Sequence, residues 1–280
     1  MKTKRSKKRI IIPILLFILG LGIALYPLVS RLYYKREANN QVQSFEIKKA
    51  TIEDEDLKRR IALAKGYNQT LDPSKIGDPY SKEEQEGVAE YARMLEVSEK
   101  IGHVEIPKIG EDLPIYAGTR EVVLQKGVGH LEGTSLPIGG ENTHTVVTAH
   151  RGLPSAKLFS DLDKLEIGDK FYIHNIETVL AYRVDQILVV EPWDFEPVLV
   201  VKGHDYATLL TCTPYMLISH RLLVRGERID YVPAIEEQSV ATNRQTRLYQ
   251  RLFYGTLAIL ILTLLWLLYK KLRKKKTDLE

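Results

Sequence analysis

The chain has one cysteine, Cys212, and a cysteine side chain is a strong nucleophile once its thiol is ionised. Cys212 ends the apolar run Tyr206-Ala-Thr-Leu-Leu-Thr-Cys212 and is followed at once by Thr213-Pro214, so a strand must stop there and open its end to a loop. A lone cysteine in such a run also fits a small buried hydrophobe. What separates the two readings is a proton carrier, a task for histidine near neutral pH. Of the seven histidines, His150 repeats the pattern: it ends Thr145-Val-Val-Thr-Ala-His150 and precedes Arg151-Gly152. His103, His144, His174 and His204 lack that setting and read as structural or solvated. His130, in Gly127-Val-Gly-His130, falls in a glycine-rich loop and stays open, and His220 reads as orienting a loop beside Arg221. Acyl transfer builds negative charge on an oxygen, which a guanidinium can stabilise. Arg221 opens the β-type run after Cys212, so a hairpin can bring it beside the thiol, although on spacing alone an arginine at a strand start reads as a solvated edge charge.

These residues need a frame that presents strand ends. From Gly102 onward the sequence is a series of short β-type runs, at 103–106, 113–116, 145–149, 170–174, 179–190, 207–211 and 221–231, separated by Gly, Pro, Asn and Asp, with a little helix at 158–165. Strands at such spacing argue for a closed or nearly closed β-barrel. Upstream, 51–65 predicts a helix with a capping box at Thr51 and Asp54, a face of Leu57, Ile61 and Ala64, and Gly66 as C-cap. A second helix is expected from Ser81 through Val88, Tyr91, Ala92 and Leu95. The intervening 66–80 is turn-rich and carries two Asp-Pro pairs, Asp72-Pro73 and Asp78-Pro79, which cannot continue a helix.

Charge is distributed very unevenly over the 280 residues. The formal net charge is +4, yet six positives fall in 2–9 and six more in 270–276. Without those clusters and the tail acids Asp278 and Glu280, 28 basic and 34 acidic residues remain, a net −6. That excludes a basic nucleic-acid face, and no RNP-like or zinc-finger pattern restores one. Both basic clusters abut charge-free apolar runs, 10–29 and 252–269. At about 1.5 Å per residue each is long enough to cross a bilayer of roughly 30 Å as a helix. The positive-inside rule then puts both termini in the cytoplasm and the bulk outside. The first run is longer than the apolar stretch of a signal peptide and lacks a small-residue cleavage site, so it is expected to stay as an anchor.

Thr208-Leu-Leu-Thr-Cys212 followed by Arg221-Leu-Leu-Val-Arg-Gly226, with Thr148-Ala-His150 upstream, resembles the signature of the sortases, Gram-positive surface transpeptidases. The match covers roughly 102–233 and departs at Met216 and Leu217, which touch loop shape and not the triad. The resemblance implies a sortase barrel of about eight strands, with Cys212 as nucleophile, His150 as general acid and base, and Arg221 as substrate and oxyanion stabiliser. Two features are similar to the pilin-polymerising class C: the second apolar run with its basic tail, and Asp78-Pro79-Tyr80, which resembles a lid motif. A carboxylate at Asp78 can pair with Arg221, and the Tyr80 ring can cover the Cys212 sulfur. Asp-Pro-Tyr can also be only a turn, as Asp72-Pro73 illustrates.

The expected organisation is a cytoplasmic tail at 1–9, a transmembrane helix at 10–29, an extracellular helical region with the lid at 30–98, the catalytic barrel at 99–233, a juxtamembrane linker at 234–251, a second transmembrane helix at 252–269 and a basic tail at 270–280. The expected activity is cleavage of an LPxTG-like sorting signal of a pilin and transfer of the acyl group to a lysine of the next pilin. The alternatives are a sortase that anchors proteins to peptidoglycan and a non-catalytic β-domain that binds surface proteins. No zinc, nucleotide or EF-hand motif is present, so neither a cofactor nor a metal is expected.

Overall fold

A computed structural model describes residues 4–72, 76–80, 89–215 and 218–232, with isolated helical positions between 254 and 262. The chain divides into two compact units, Met1–Tyr231 and Val232–Glu280.

The first unit is a closed eight-stranded barrel preceded by helices. The strands are β1 (Lys100–Ile106), β2 (Glu111–Ala117), β3 (Val128–His130), β4 (Thr143–Thr148), β5 (Lys170–His174), β6 (Val179–Val190), β7 (Asp205–Thr213) and β8 (His220–Ile229), in the ring order β1-β2-β3-β4-β7-β8-β6-β5. Two pairings are parallel, β2 with β3 and β4 with β7. The inner wall and the elements outside it bury one continuous cluster that includes Val104, Ile115, Val147, Phe171, Tyr182, Leu209 and Val224. A closed ring leaves no strand edge open, and β4 is buried at every position from Thr143 to Thr148. Its polar members are satisfied there: His144 Nδ1 lies 2.9 Å from the Leu199 carbonyl and Nε2 lies 2.8 Å from Thr208 Oγ1.

Helix α1 (Lys4–Lys49) runs unbroken through the apolar segment 10–29 and on to the barrel. Ala38, Val42 and Phe45, at helical spacing, are buried against it. Among the described residues no helix is long and apolar enough to cross a membrane. The first expected span, 10–29, thus lies within α1, although many of its side chains are outside the described residues, and most of the second, 252–269, lies outside them altogether.

Four expectations need correction. Helix α2 spans Asp54–Gln69 with no side-chain cap at its start. Thr51 instead bonds back to the Lys48 carbonyl at 2.7 Å and so closes α1. Gly66 does not end α2, because Asn68 beyond it is held twice by Leu136 and Tyr67 stacks on Tyr91. Of the helix expected from Ser81, 81–88 lie outside the described residues, and 89–95 form a 3-10 helix. Ala92 and Leu95, three apart, are both fully buried, which is the period a 3-10 turn serves. Finally, Gly127-Val-Gly-His130 is not a loop: Val128–His130 is β3. A Cβ on Gly129 would stand 2.4 Å from the Gly118 carbonyl oxygen, so that glycine permits close strand approach.

Candidate active site

The barrel sets His150, Cys212 and Arg221 on three neighbouring chains. In the β7–β8 pair Cys212 faces Arg221 directly. In the parallel β4–β7 pair the last partners are Thr148 and Leu210, so the chain leaving β4 carries His150 alongside Cys212 two residues later. The exit is pinned: Thr148 Oγ1 donates to the Leu210 carbonyl at 3.1 Å and Thr211 Oγ1 donates to the Ala149 carbonyl at 2.7 Å. Arg151, which the sequence marks only as a turn residue, ties the two strand ends together. Its Nη1 donates to Thr213 Oγ1 at 2.9 Å and its Nη2 meets Asp163 at 2.8 Å.

Over this row lies the segment 76–80. Asp78 accepts both forks of Arg221, from Nε at 2.7 Å and from Nη2 at 2.6 Å, a bidentate pair in which both side chains are largely buried. Arg221 Nη1 donates to the carbonyls of Ile218 and His220. The Tyr80 ring stands 5.1 Å from the Arg221 guanidinium and 5.6 Å from the His150 ring. Its hydroxyl donates to the Ala149 carbonyl at 2.7 Å and lies 2.8 Å from Thr148 Oγ1. Ile76 and Tyr80 pack on a second apolar cluster, formed by Leu131, Val146, Val198, Leu210 and Leu223.

This cover changes the thiol. Burial, partly offset by the Arg221 charge and reinforced by Asp78, pushes Cys212 up from an ordinary 9.0 to about 11. With 4% of its surface exposed, Cys212 is here a protonated, covered thiol. Burial also raises the Tyr80 phenol, which remains neutral. On its outer side His150 meets Glu121 of the short helix α3 (Glu121–Leu124), with Nε2 3.2 Å from Oε2. No sequence signal marked Glu121; it is 29 residues upstream on a separate element.

The other histidines are accounted for. Buried His130 bonds Tyr91 and the Ser135 carbonyl, His204 meets Glu227, and His220 contacts Ser219 and Glu191. His103 is enclosed by Asp112 and Glu46 and stacked on His174.

The chain matches a sortase domain over residues 104–229. A sortase A from Bacillus anthracis is 27% identical over 227 residues, 80% of this chain and 97% of that one. A sortase A from Streptococcus agalactiae is 31% identical over 130 residues, 45% of this chain and 52% of that one. Among solved structures, sortase C-1 of Streptococcus pneumoniae is 60% identical with a TM-score of 0.68, covering 69% of this chain and 100% of that one. A pilus-related sortase C of Group B Streptococcus is 60% identical with a TM-score of 0.66, covering 68% of this chain and 97% of that one.

Proposed function

The chain belongs to the sortase family of cysteine transpeptidases, with class C enzymes as structural neighbours, and from that premise we propose that it is a membrane-anchored pilin polymerase. The observation that carries this reading is the row His150, Cys212, Arg221 on three adjacent chains, closed by Asp78 and Tyr80. In this reading 76–80 is a lid that withdraws to admit a pilin's LPxTG-like signal. The Cys212 thiolate attacks the scissile carbonyl carbon while Arg221, released from Asp78, stabilises the oxyanion. The imidazolium of His150 gives its proton to the departing amine, and the peptide C–N bond breaks to leave a thioester. The ε-amine of a lysine of the next pilin attacks the thioester, Cys212 leaves as thiolate, and His150 takes up the proton lost by the amine. An isopeptide bond results, and water in place of the lysine gives hydrolysis. Bilayer anchoring of both ends suits this task, since it holds the barrel at the cell surface where secreted pilins arrive. The apolar side chains of Leu16, Leu19, Ile23, Tyr26 and Val29 on α1 are more than half exposed, an area that lipid would cover.

The test is a Cys212→Ala chain expressed in place of the wild type in its own cells, with surface pilin read by immunoblot. Loss of the multimer ladder is expected, and an intact ladder refutes the enzymatic reading. Mass spectrometry of the wild-type products distinguishes the acceptor: a lysine isopeptide supports polymerisation, whereas pilin monomers joined to peptidoglycan would make the enzyme a wall-anchoring sortase.

A further inference from the structure

Across the barrel from Cys212, two histidines and a glutamate meet beneath α1. β1 stands four strands from β7 in either direction around the ring. His103 of β1 and His174 of β5 are direct cross-strand partners with stacked rings 4.1 Å apart. Glu46 reaches in from α1, its Oε1 3.2 Å from His103 Nε2. One ligand atom from each of the three lies within 4.8 Å of the others.

Two further observations set this cluster apart from a surface ion pair. The Nε2 atom of His174 is buried without a hydrogen-bond partner. The nearby Glu105 carboxylate stands 3.6 Å away, beyond hydrogen-bond distance. A buried polar atom in that state costs free energy that a ligand would recover. In addition, His103 Nδ1 lies 2.7 Å from Asp112 Oδ1. Both His103 nitrogens therefore face carboxylates, with Nδ1–H donating to Asp112 and Nε2–H donating to Glu46, and a cation bound between His103 and Glu46 would take the place of the Nε2 proton while Asp112 holds the ring.

We propose that Glu46, His103 and His174 form a binding site for a divalent cation of the zinc class. Two imidazoles and a carboxylate suit a borderline cation, whereas calcium and magnesium take oxygen ligands alone. Glu105, whose Oε2 stands 3.6 Å from His174 Nε2, is the nearby carboxylate that would complete the set on the His174 side. Ligands around tetrahedral zinc are about 3.3 Å apart and the ion lies in the plane of each imidazole, so the two rings would tilt out of their stack to close on it. Charge favours occupancy: once the cation has displaced the His103 Nε2 proton, the carboxylates Glu46, Asp112 and Glu105 stand around it, with Lys49 Nζ 3.0 Å from Glu46. The ion would bolt α1 to the barrel wall.

The test is a titration of zinc chloride into the full chain carrying Cys212→Ala, which removes the thiol as a competing ligand, followed by calorimetry and thermal unfolding. One zinc per chain is expected with micromolar or tighter affinity, and a Tm rise on the order of 5 °C at a hundredfold excess over Kd. Cobalt(II) in its place should show the intense visible bands of tetrahedral coordination. In His174→Asn, and separately in Glu46→Gln, whose side chain is half exposed, affinity should fall at least about tenfold and the Tm rise should disappear. The proposal is overturned if no zinc binds, if zinc binds both variants as tightly as the parent, or if calcium binds as tightly as zinc.

Discussion

Replacing Tyr80 with alanine should turn a covered thiol into a reactive one, and the gain can be worked from the site. With the ring in place, burial holds Cys212 at about 11 against an ordinary 9.0. At pH 7.5 the thiolate fraction is then about 0.03%, and it rises about a hundredfold if solvent returns the thiol to its ordinary value. Intrinsic nucleophilicity falls with basicity, with a slope of about 0.45, which takes back roughly eightfold and leaves a net gain of about tenfold. Access to a sulfur that is 4% exposed adds to this. The assay is the rate of iodoacetamide alkylation of Cys212 from pH 6 to 11, with mass spectrometry to locate the label. The wild-type rate should climb with pH until about 11, while the Tyr80→Ala rate should bend near 9 and exceed wild type about tenfold at pH 7.5. Asp78→Ala should move in the same direction, because it removes an anion that raises the thiol and frees Arg221, which lowers it. Equal rates and a common bend in a folded Tyr80→Ala protein would refute the idea that this segment suppresses the nucleophile.

Arg221→Lys keeps the charge but loses the planar fork, and should lower the rate of pilin transfer about 10²- to 10³-fold in a purified assay while Tyr80→Ala retains activity. Buried His130 and His144 are each held down to about 4 by burial, against 6.5 when unfolded. Folded values below the unfolded one mean that their contribution is complete above pH 6.5 and is lost as pH falls through 4. Each is worth on the order of 3 kcal/mol, so urea unfolding should show stability dropping across that window, and His144→Gln should flatten part of the drop. Gly226→Ala should cost about 1–3 kcal/mol, because a Cβ there would lie 2.7 Å from the Phe171 ring and 2.9 Å from Tyr182 Cβ. A midpoint unchanged in urea would show that this packing yields freely.

Strand ends were the most legible feature. Cys212 and His150 each close an apolar β-type run before a turn, and the short spacing of the runs implies a barrel, because these signals are local. Strand β3 is not legible in the sequence, for a physical reason. Its glycines look like a loop in isolation, and only the Gly118 backbone beside Gly129 gives them their purpose. A helical region is expected over 30–98, but the continuation of α1 to Lys49 has no strong local signal, because Ala38, Val42 and Phe45 form a sparse stripe whose worth comes from the wall it covers. Gly66 marks the end of α2 in sequence but not in structure, where contacts from Asn68 and Tyr67 outweigh the helix-breaking tendency of glycine.

The sequence by itself determined the residue types of the site, the order in which they occur and the β-rich frame, since each is written in short stretches of chain. The resemblance to the sortases pointed to Asp78 as a partner for Arg221, and tertiary structure decided that these residues, 143 apart, would meet in a bidentate and largely buried pair. Tertiary structure alone set Glu121 against His150 and gathered Glu46, His103 and His174 under one helix. Such contacts depend on ring closure and on helices docking from outside. Charge and hydrogen-bond complementarity across long loops is a property of the assembled surface, and no local period in the chain encodes it.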